Sequence, residues 1–189
     1  MECEQTNPYD GALLNEDAEI SEPSATVAGC DTVMILPGHY CATRCDVTLV
    51  TVLGSCVAVC LYDPVNGVAG MNHYLLPEPP GLPQATSEIP TRYGTAAVAM
   101  LVGEMLAEGA ERQHMVAKVF GGASVLRDIP DHQRVGPRNV AFALGYLRNA
   151  GIPVVQYDVG GIGARSVSLR TRDGRVAVRR SAQYVNLAA

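Results

Sequence analysis

Two segments rich in Val and Leu flank the turn sequence DPVNG at residues 63–67, and this pair constrains the fold more than any other feature. Proline at the second position presets the φ angle of a β-turn, and glycine accepts the left-handed conformation that closes it. The first segment, DVTLVTVLGSCVAVCLYDP, alternates after Ser55 as a strand does, and the second, VNGVAGMNHYLLP, returns beside it. The sequence therefore predicts an antiparallel β-hairpin here.

The rest of the chain mixes short strands with two helices. Apolar residues recur at helical spacing from Thr91 to Gly109, and a second helix is predicted in GPRNVAFALGYLRNAG, which has Pro137 at its start and Gly151 just past its end. Strands are predicted in TVMILPGHY, HMVAKVF and IPVVQYDVGG, and a last hairpin turns at residues 173–174. The predicted fold class is α/β, a single layered domain of mixed, mostly antiparallel sheets packed with two main helices.

The distribution of charge divides the chain into two parts. Residues 1–31 hold eight acidic side chains and no Lys or Arg, so of the 19 acids 11 remain beside all 14 bases. An acidic, weakly apolar segment that contains Pro and Ser is typical of disorder. We therefore predict a disordered acidic leader over residues 1–31, with a docking segment that orders on a partner as the alternative, and one folded domain over residues 32–189.

The composition argues against a membrane protein and against a metal site. No apolar run approaches the ~20 residues that a membrane-spanning helix needs, and an acidic N-terminus does not suit a signal peptide. We expect a cytoplasmic protein with reduced thiols. The pairs Cys41/Cys45 and Cys56/Cys60 suggest zinc, but residues four apart on a strand lie about 13 Å apart, too far to bind one ion. We therefore predict no metal.

The last hairpin carries six arginines against one acid, Asp173. No aromatic residues interleave with these arginines, and the rest of the chain is not basic, so the segment does not resemble a nucleic-acid surface. We expect a solvated strand face or a contact for an acidic protein partner.

Cys56 and His73 lie on opposite sides of the turn at residues 63–67. If residues 63 and 67 bracket this turn, the numbers of paired residues sum to about 130, and Cys56 lies opposite Tyr74. A one-residue bulge or a two-residue loop would instead place Cys56 directly against His73, with about 5 Å between their Cβ atoms. Because a slip of one residue turns His73 to the other face, the register decides whether the two side chains meet.

Directly opposed, the two side chains would form a nucleophile and its base. An imidazole that accepts the thiol proton also stabilises the thiolate, so it would lower the pKa of Cys56. The preceding Gly54 and Ser55 allow close backbone approach and offer amide donors to an oxyanion. The alternative is that Cys56 is a small buried apolar residue of a Val-rich strand, the interpretation that suits Cys60.

Six blocks of the chain, in sequence order, are TVLGSCVAVCLYDP, GMNHYLLP, RYGTAAVAMLV, KVFGGASVL, VGPRNVAFALGYLRNAGIPV and DVGGIGARSV. In their sequences and in their order these blocks resemble the CheD family, the chemoreceptor glutamine deamidases of bacterial chemotaxis. The resemblance extends from about Val33 to Val178 and leaves the leader outside. It implies a layered α/β fold similar to the deamidase domains of certain bacterial toxins.

The resemblance also assigns catalytic roles. It implies that Cys56 is the nucleophile, that His73 is its base, and that a threonine shortly before the cysteine orients the histidine. The position six residues before Cys56 is Val50, so the third role passes to Thr51, five residues before. A backbone carbonyl or the side chain of Asn72 is the alternative partner of the ring.

The function that the resemblance implies is conversion of glutamine side chains of methyl-accepting chemotaxis receptors to glutamate through a cysteine thioester, without a cofactor. The implied partners are the helical cytoplasmic region of a receptor and a CheC-type phosphatase. The rival hypothesis is an adaptor of CheD type that binds receptors or a phosphatase without turnover.

The remaining polar residues and glycines of the six blocks have structural explanations, such as turns, close backbone approach or a helix start. These are Gly121, Gly122, Arg138, Asn139, Asp158, Gly160, Gly161 and Arg165. The other histidines lack a thiol partner in the sequence and are predicted to be non-catalytic: His39, His114 and His132.

Deletion of the acidic leader is expected to leave the domain intact. Because its composition cannot contribute to an apolar core, a chain without residues 1–31 should keep its melting temperature and its turnover nearly unchanged. Calorimetry of the full and shortened chains measures this. A large fall in melting temperature would mean that the leader packs on the domain.

Overall fold

The computed structural model describes residues 31–81, 89–124 and 134–180. Within these residues it contains nine strands, two α-helices and a 3₁₀ turn at Arg112–His114. The strands are β1 (Asp31–Met34), β2 (Tyr40–Thr43), β3 (Val47–Leu53), β4 (Val57–Asp63), β5 (Val68–Asn72), β6 (Val116–Gly121), β7 (Val154–Val159), β8 (Arg165–Arg170) and β9 (Arg175–Arg180). The helices are α1 (Gly94–Ala107) and α2 (Val135–Asn149).

The strands form two sheets. The four-stranded sheet has the order β1-β3-β8-β9, and the five-stranded sheet has the order β2-β5-β4-β6-β7. Only β1–β3 and β6–β7 pair in parallel among the described strands, and the other neighbours are antiparallel. The fold class predicted from the sequence, mixed and mostly antiparallel sheets with two main helices, is confirmed.

Apolar alternation along the strands produces three layers. One face of the five-stranded sheet packs against the helices, where Val59, Leu101 and Leu147 are fully buried in one core cluster. Its other face packs against the four-stranded sheet, where Leu49 and Phe120 belong to a second cluster. Because successive strand residues point to opposite faces, the five-stranded sheet forms the middle layer and is apolar on both sides.

The segment DVTLVTVLGSCVAVCLYDP is not one strand. It forms β3 in the four-stranded sheet and β4 in the five-stranded sheet, and the chain crosses between the sheets at residues 54–56. Periodicity could not detect this crossing, because both halves are rich in Val and other apolar residues. The predicted hairpin of β4 and β5 is confirmed, whereas β2, which pairs with β5 on its other side, was not predicted.

The predicted leader lies outside the described residues except for Asp31, which is the first residue of β1. A deletion that spares the sheet therefore ends at residue 30. Neither described helix is long and apolar enough to cross a membrane.

Asp63 fastens the turn between β4 and β5. Its fully buried carboxylate accepts hydrogen bonds from the backbone N–H groups of Val65, Asn66 and Glu111, and from the Asn66 side chain, at 2.8–3.0 Å. Burial alone would raise the pKa of Asp63, but these hydrogen bonds outweigh burial and lower it to about 2. The ionised carboxylate thus ties the hairpin to the segment after α1.

Replacement of Asp63 by Ala is expected to destabilise the domain by about 3 kcal/mol at pH 7, because several N–H donors lose a charged acceptor. The contribution of Asp63 in the wild type should be lost as pH falls from about 4 through its folded-state pKa of about 2. Urea unfolding at several pH values measures both effects.

Asp173→Ala is the matched control, because Asp173 also accepts a backbone N–H and a side-chain hydrogen bond in a hairpin turn but is partly exposed. It should cost less than about 1 kcal/mol. Equal losses in the two variants would contradict the role assigned to Asp63.

Candidate active site

The crossing between the two sheets holds the predicted nucleophile. Residues 54–56 belong to neither sheet ladder, and Cys56 is partly exposed there. Two of their carbonyl groups accept backbone hydrogen bonds from the loop after β6: Gly54 from Ala123 at 2.9 Å, and Cys56 from Gly122 at 2.8 Å. The segment that carries Cys56 is therefore held in one conformation by an element distant in sequence.

The close approach of this loop requires glycine at position 121. Gly121 has φ of +105°, and a Cβ atom there would lie 2.2 Å from the carbonyl oxygen of Cys56. A side chain would be strained by the backbone conformation and would collide with the backbone of Cys56. The structural role predicted for this glycine is thus one of contact with the site.

The register of the hairpin differs by one residue from the expected one. Asp63 pairs with Val68, and an isolated bridge joins Val57 to Tyr74. Continued along the strands, this register sets His73 beside Ala58, two residues from Cys56, so His73 and Cys56 are diagonal neighbours on one face rather than directly opposed. Diagonal positions lie roughly 7–8 Å apart, within reach of long side chains.

Thr51 contacts the imidazole of His73 directly. Thr51 and His73 are both buried, and Thr51 Oγ1 lies 2.8 Å from His73 Nδ1. Thr51 Oγ1 also donates its hydrogen to the carbonyl oxygen of Ile35 at 2.7 Å. A hydroxyl has one hydrogen, so towards Nδ1 it can only accept. Nδ1 therefore carries the proton, and Nε2 of the neutral ring keeps its lone pair.

Strand parity explains why Thr51 and not Val50 reaches the ring. Thr51 points into the space between the sheets, whereas Val50 is partly exposed on the outer face of β3. Asn72, the alternative partner of the ring, is turned elsewhere: its Oδ1 accepts the backbone N–H of Val59 at 2.8 Å.

Nε2 of His73 is buried, and among the described residues it has no hydrogen-bond partner. The thiol of Cys56 is therefore not hydrogen-bonded to the ring in this state. Hydrogen bonds between catalytic groups are often long in free enzymes and shorten when substrate binds. The two side chains share the face of the hairpin that packs against the four-stranded sheet.

Burial favours the uncharged form of both groups. It lowers the pKa of His73 to about 4, although the nearby carbonyl of Ile35 opposes this; the proximity of His39 lowers it further. Burial also raises the pKa of the Cys56 thiol above its ordinary value, and the N–H of Cys56 itself partly opposes this. The expectation that an adjacent imidazole lowers this thiol pKa is wrong for the free protein, because desolvation dominates.

The other predicted candidates are distributed as follows. Cys60 is buried between the sheets, and burial raises its pKa to about 12. Among the described residues, no group of three or more His, Cys, Asp or Glu side chains is placed to hold a metal ion. Nδ1 of His39 lies 3.2 Å from the carbonyl oxygen of Pro37, His114 lies beside Glu111, and His132 falls outside the described residues.

The arginine side chains of the last hairpin form more ion pairs than the single acid in its sequence suggests. Arg165 is buried and forms an ion pair with Asp158, which Arg180 also contacts. Arg170 and Arg175 contact Asp173. The hairpin is thus a partly neutralised strand face, with Arg165 fixing the loop after β7.

A solved structure, the Bacillus licheniformis hypothetical protein YfiH, matches 65% of this chain and 49% of its own at 16% identity and a TM-score of 0.39. This likeness is too weak to define a shared fold.

The sequence profile of a family described as "CheD chemotactic sensory transduction" matches residues 75–180, a range that begins just after His73. A Bordetella petrii protein named "Probable chemoreceptor glutamine deamidase CheD" is 46% identical over 156 residues, which are 82% of this chain and 69% of that protein. A protein of the same name from Laribacter hongkongensis is 43% identical over 156 residues, which are 82% of this chain and 75% of that protein. A Shewanella oneidensis protein named "Probable chemoreceptor glutamine deamidase CheD 1" is 47% identical over 148 residues, which are 78% of this chain and 71% of that protein. With this identity over most of its length, and with the profile match, the chain belongs to the CheD family.

Proposed function

We propose that the protein is a thiol-dependent deamidase that converts glutamine side chains of chemoreceptors to glutamate. The names of its relatives give the reaction and the class of protein substrate. The observation that carries the proposal is the state of His73. Thr51 contacts its Nδ1, and its Nε2, which has no hydrogen-bond partner within the described ranges, is left as a base on the hairpin face that also holds Cys56.

In the first step Sγ of Cys56 attacks the carboxamide carbon of the glutamine, and Nε2 of His73 takes the thiol proton. The carbonyl electron pair moves to the oxygen, and the backbone N–H of Cys56 donates to the resulting oxyanion, with Gly54 and Ser55 as supporting backbone. Because burial keeps thiol and imidazole uncharged in the free protein, the imidazolium forms only while the C–S bond forms.

In the second step the tetrahedral intermediate collapses. The C=O bond re-forms, the C–N bond breaks, and the His73 imidazolium gives its proton to the nitrogen, which leaves as ammonia. A water molecule, deprotonated by His73, then attacks the thioester carbon. The C–S bond breaks and Sγ regains a proton. Amide and water thus become carboxylic acid and ammonia, without redox change or cofactor.

Thr51 contributes to the proposed reaction indirectly, through its contact with the imidazole ring of His73. By accepting from Nδ1–H it fixes the tautomer with a basic Nε2 and limits rotation of the imidazole. We propose the helical cytoplasmic region of a receptor as substrate, so that the enzyme acts in the cytoplasm, and a CheC-type phosphatase as a second partner. Each turnover replaces a neutral amide by a carboxylate and so adds negative charge to the receptor.

An adaptor without turnover is the second candidate. The raised pKa of the Cys56 thiol and the absence of a hydrogen bond from Nε2 in the described state favour it. The two candidates differ in one product, glutamate at former glutamine positions.

Incubation of a chemoreceptor cytoplasmic fragment with the protein should release ammonia and raise the mass of particular glutamine-containing peptides. Cys56→Ala should abolish both signals, because the nucleophile is lost. Cys60→Ala is the matched control, since Cys60 lies four residues further along the chain, in β4, and is buried. It should remain active at a packing cost of about 1 kcal/mol. Peptide mass spectrometry measures the outcome. Deamidation by Cys56→Ala at the wild-type rate would refute the mechanism, and an inactive wild type would favour the adaptor.

The pH dependence of kcat/KM should reflect the pKa of the buried His73. Because burial lowers the pKa of His73 to about 4, the acid limb of kcat/KM should lie near pH 4 and not near the ordinary histidine value of about 6.5. Between these values His73 stays neutral and can accept the thiol proton, so Cys56 should react with iodoacetamide at a rate that depends weakly on pH.

In His73→Ala the alkylation rate should instead rise about tenfold per pH unit, up to the raised thiol pKa, because only the thiolate reacts. Site-resolved alkylation rates from pH 5 to 9 compare the two proteins, with Cys45 as the internal exposed reference. Superimposable Cys56 profiles would show that His73 is not its base.

A further inference from the structure

Three consecutive carbonyl groups at the crossing between the sheets are hydrogen-bonded, and the middle one is held by a side chain. The backbone N–H groups of Ala123 and Gly122 hold the carbonyls of Gly54 and Cys56. The carbonyl of Ser55 accepts instead from Nδ2 of Asn139, in α2, at 3.0 Å. This amide is the only described group that holds the peptide between Ser55 and Cys56.

Asn139 also contacts the segment after His73. Its Nδ2 donates a second hydrogen bond, of 2.8 Å, to the carbonyl of Leu75. Both hydrogens of the amide are therefore used, and the reversed orientation of the amide would set Oδ1 against two carbonyl oxygens. One side chain thus joins α2 to the two segments that carry Cys56 and His73.

A contribution to the stability of the fold does not by itself explain why position 139 holds an asparagine. Asn139 is fully buried, and within the described part of the chain its Oδ1 has no hydrogen-bond partner. A buried acceptor without a partner is unfavourable, so the amide satisfies two backbone carbonyls while leaving one of its own atoms unsatisfied.

Peptide geometry connects Asn139 to the chemistry. The peptide bond is planar and trans, so its C=O and N–H point in opposite directions. When Asn139 draws the Ser55 carbonyl towards α2, the N–H of Cys56 turns away from α2. This N–H has no backbone acceptor among the described residues, and it stabilises the thiolate of its own side chain. It is thus left to donate to an oxyanion that forms beside Sγ of Cys56.

We propose that Asn139 is a positioning residue for the deamidation reaction: by holding the Ser55 carbonyl, it orients the Cys56 N–H as the oxyanion donor. This inference rests on the proposed function for its catalytic consequence but not for the peptide orientation itself. Tyr74 Oη donates to the Asn139 carbonyl at 2.6 Å, a contact in the same buried place that does not involve the Asn139 amide.

The test compares Asn139→Asp and Asn139→Ala with Tyr74→Phe in the full chain. Asp keeps the shape of the side chain but sets an oxygen against the two carbonyls, and Ala removes the amide without repulsion. In either Asn139 variant that folds, kcat on the receptor fragment should fall by about 100-fold with KM unchanged, because an oxyanion donor is misdirected. Tyr74→Phe loses one buried hydrogen bond and should keep its kcat within about threefold.

Alkylation of Cys56 by iodoacetamide separates positioning of the oxyanion donor from general loosening of the site. That reaction needs the thiol and His73 but forms no oxyanion, and the effect of the Cys56 N–H on the thiol is smaller than that of burial. Its rate in the Asn139 variants should therefore stay within about threefold of the wild type. Equal falls in kcat and in alkylation rate would indicate general loosening and would overturn the proposal. Unchanged kcat would overturn it as well.

The backbone amide resonance of Cys56 gives a readout that does not depend on turnover. In ¹H–¹⁵N spectra it should shift in the Asn139 variants, whose Ser55 carbonyl has lost its donor, and stay in place in Tyr74→Phe. If the wild type proves inactive on receptor fragments, the proposed function fails while this shift still decides the peptide orientation. An unshifted Cys56 resonance in a folded Asn139 variant would refute the role of Asn139.

Discussion

The structure depends on how the backbone N–H and C=O groups find hydrogen-bond partners where the chain passes from one sheet to the other. A segment that leaves a sheet in a partly buried place loses its ladder partners, and each polar group that remains unpaired away from water is costly. At residues 54–56 three neighbouring carbonyls are hydrogen-bonded by the loop after β6 and by α2. This requirement explains why Gly121 must approach so closely and why the start of α2 lies against the crossing.

Burial of Cys56 and His73 determines the protonation states of the two side chains. A desolvated thiol and a desolvated imidazole each favour the uncharged form, so the pair is a neutral acid and a neutral base rather than a preformed ion pair. In the proposed mechanism such a pair would hold little reactivity until a substrate carbonyl arrives to accept the developing charge. Fixed backbone dipoles would then stabilise that charge, and they need no reorganisation during a reaction.

Much of the architecture follows from periodicity and turn chemistry, and the details of the site do not. The turn at residues 63–67 and both helices are readable because proline, glycine and apolar spacing act locally. The register of the hairpin cannot be predicted in this way, because the local sequence suits a three-residue loop and a four-residue loop equally well. The observed pairing of Asp63 with Val68 depends on contacts in the whole sheet. The sequence places Asn139 in one of the six blocks but gives no sign of its contacts, because its two acceptors come from segments more than sixty positions away.

The parallel pairing of β1 with β3 has a chemical consequence for the ring of His73. It brings the carbonyl of Ile35 to the hydroxyl of Thr51, where it takes the only hydrogen that this hydroxyl can give. Without that carbonyl, the hydroxyl would be free to donate to Nδ1, and the proton of the neutral ring would move to Nε2. Nε2, the base in the proposed mechanism, would then be a hydrogen-bond donor. The pairing of β1 with β3 therefore selects the tautomer of His73, and a chain that has not yet closed its four-stranded sheet would lack the base that we propose for Cys56.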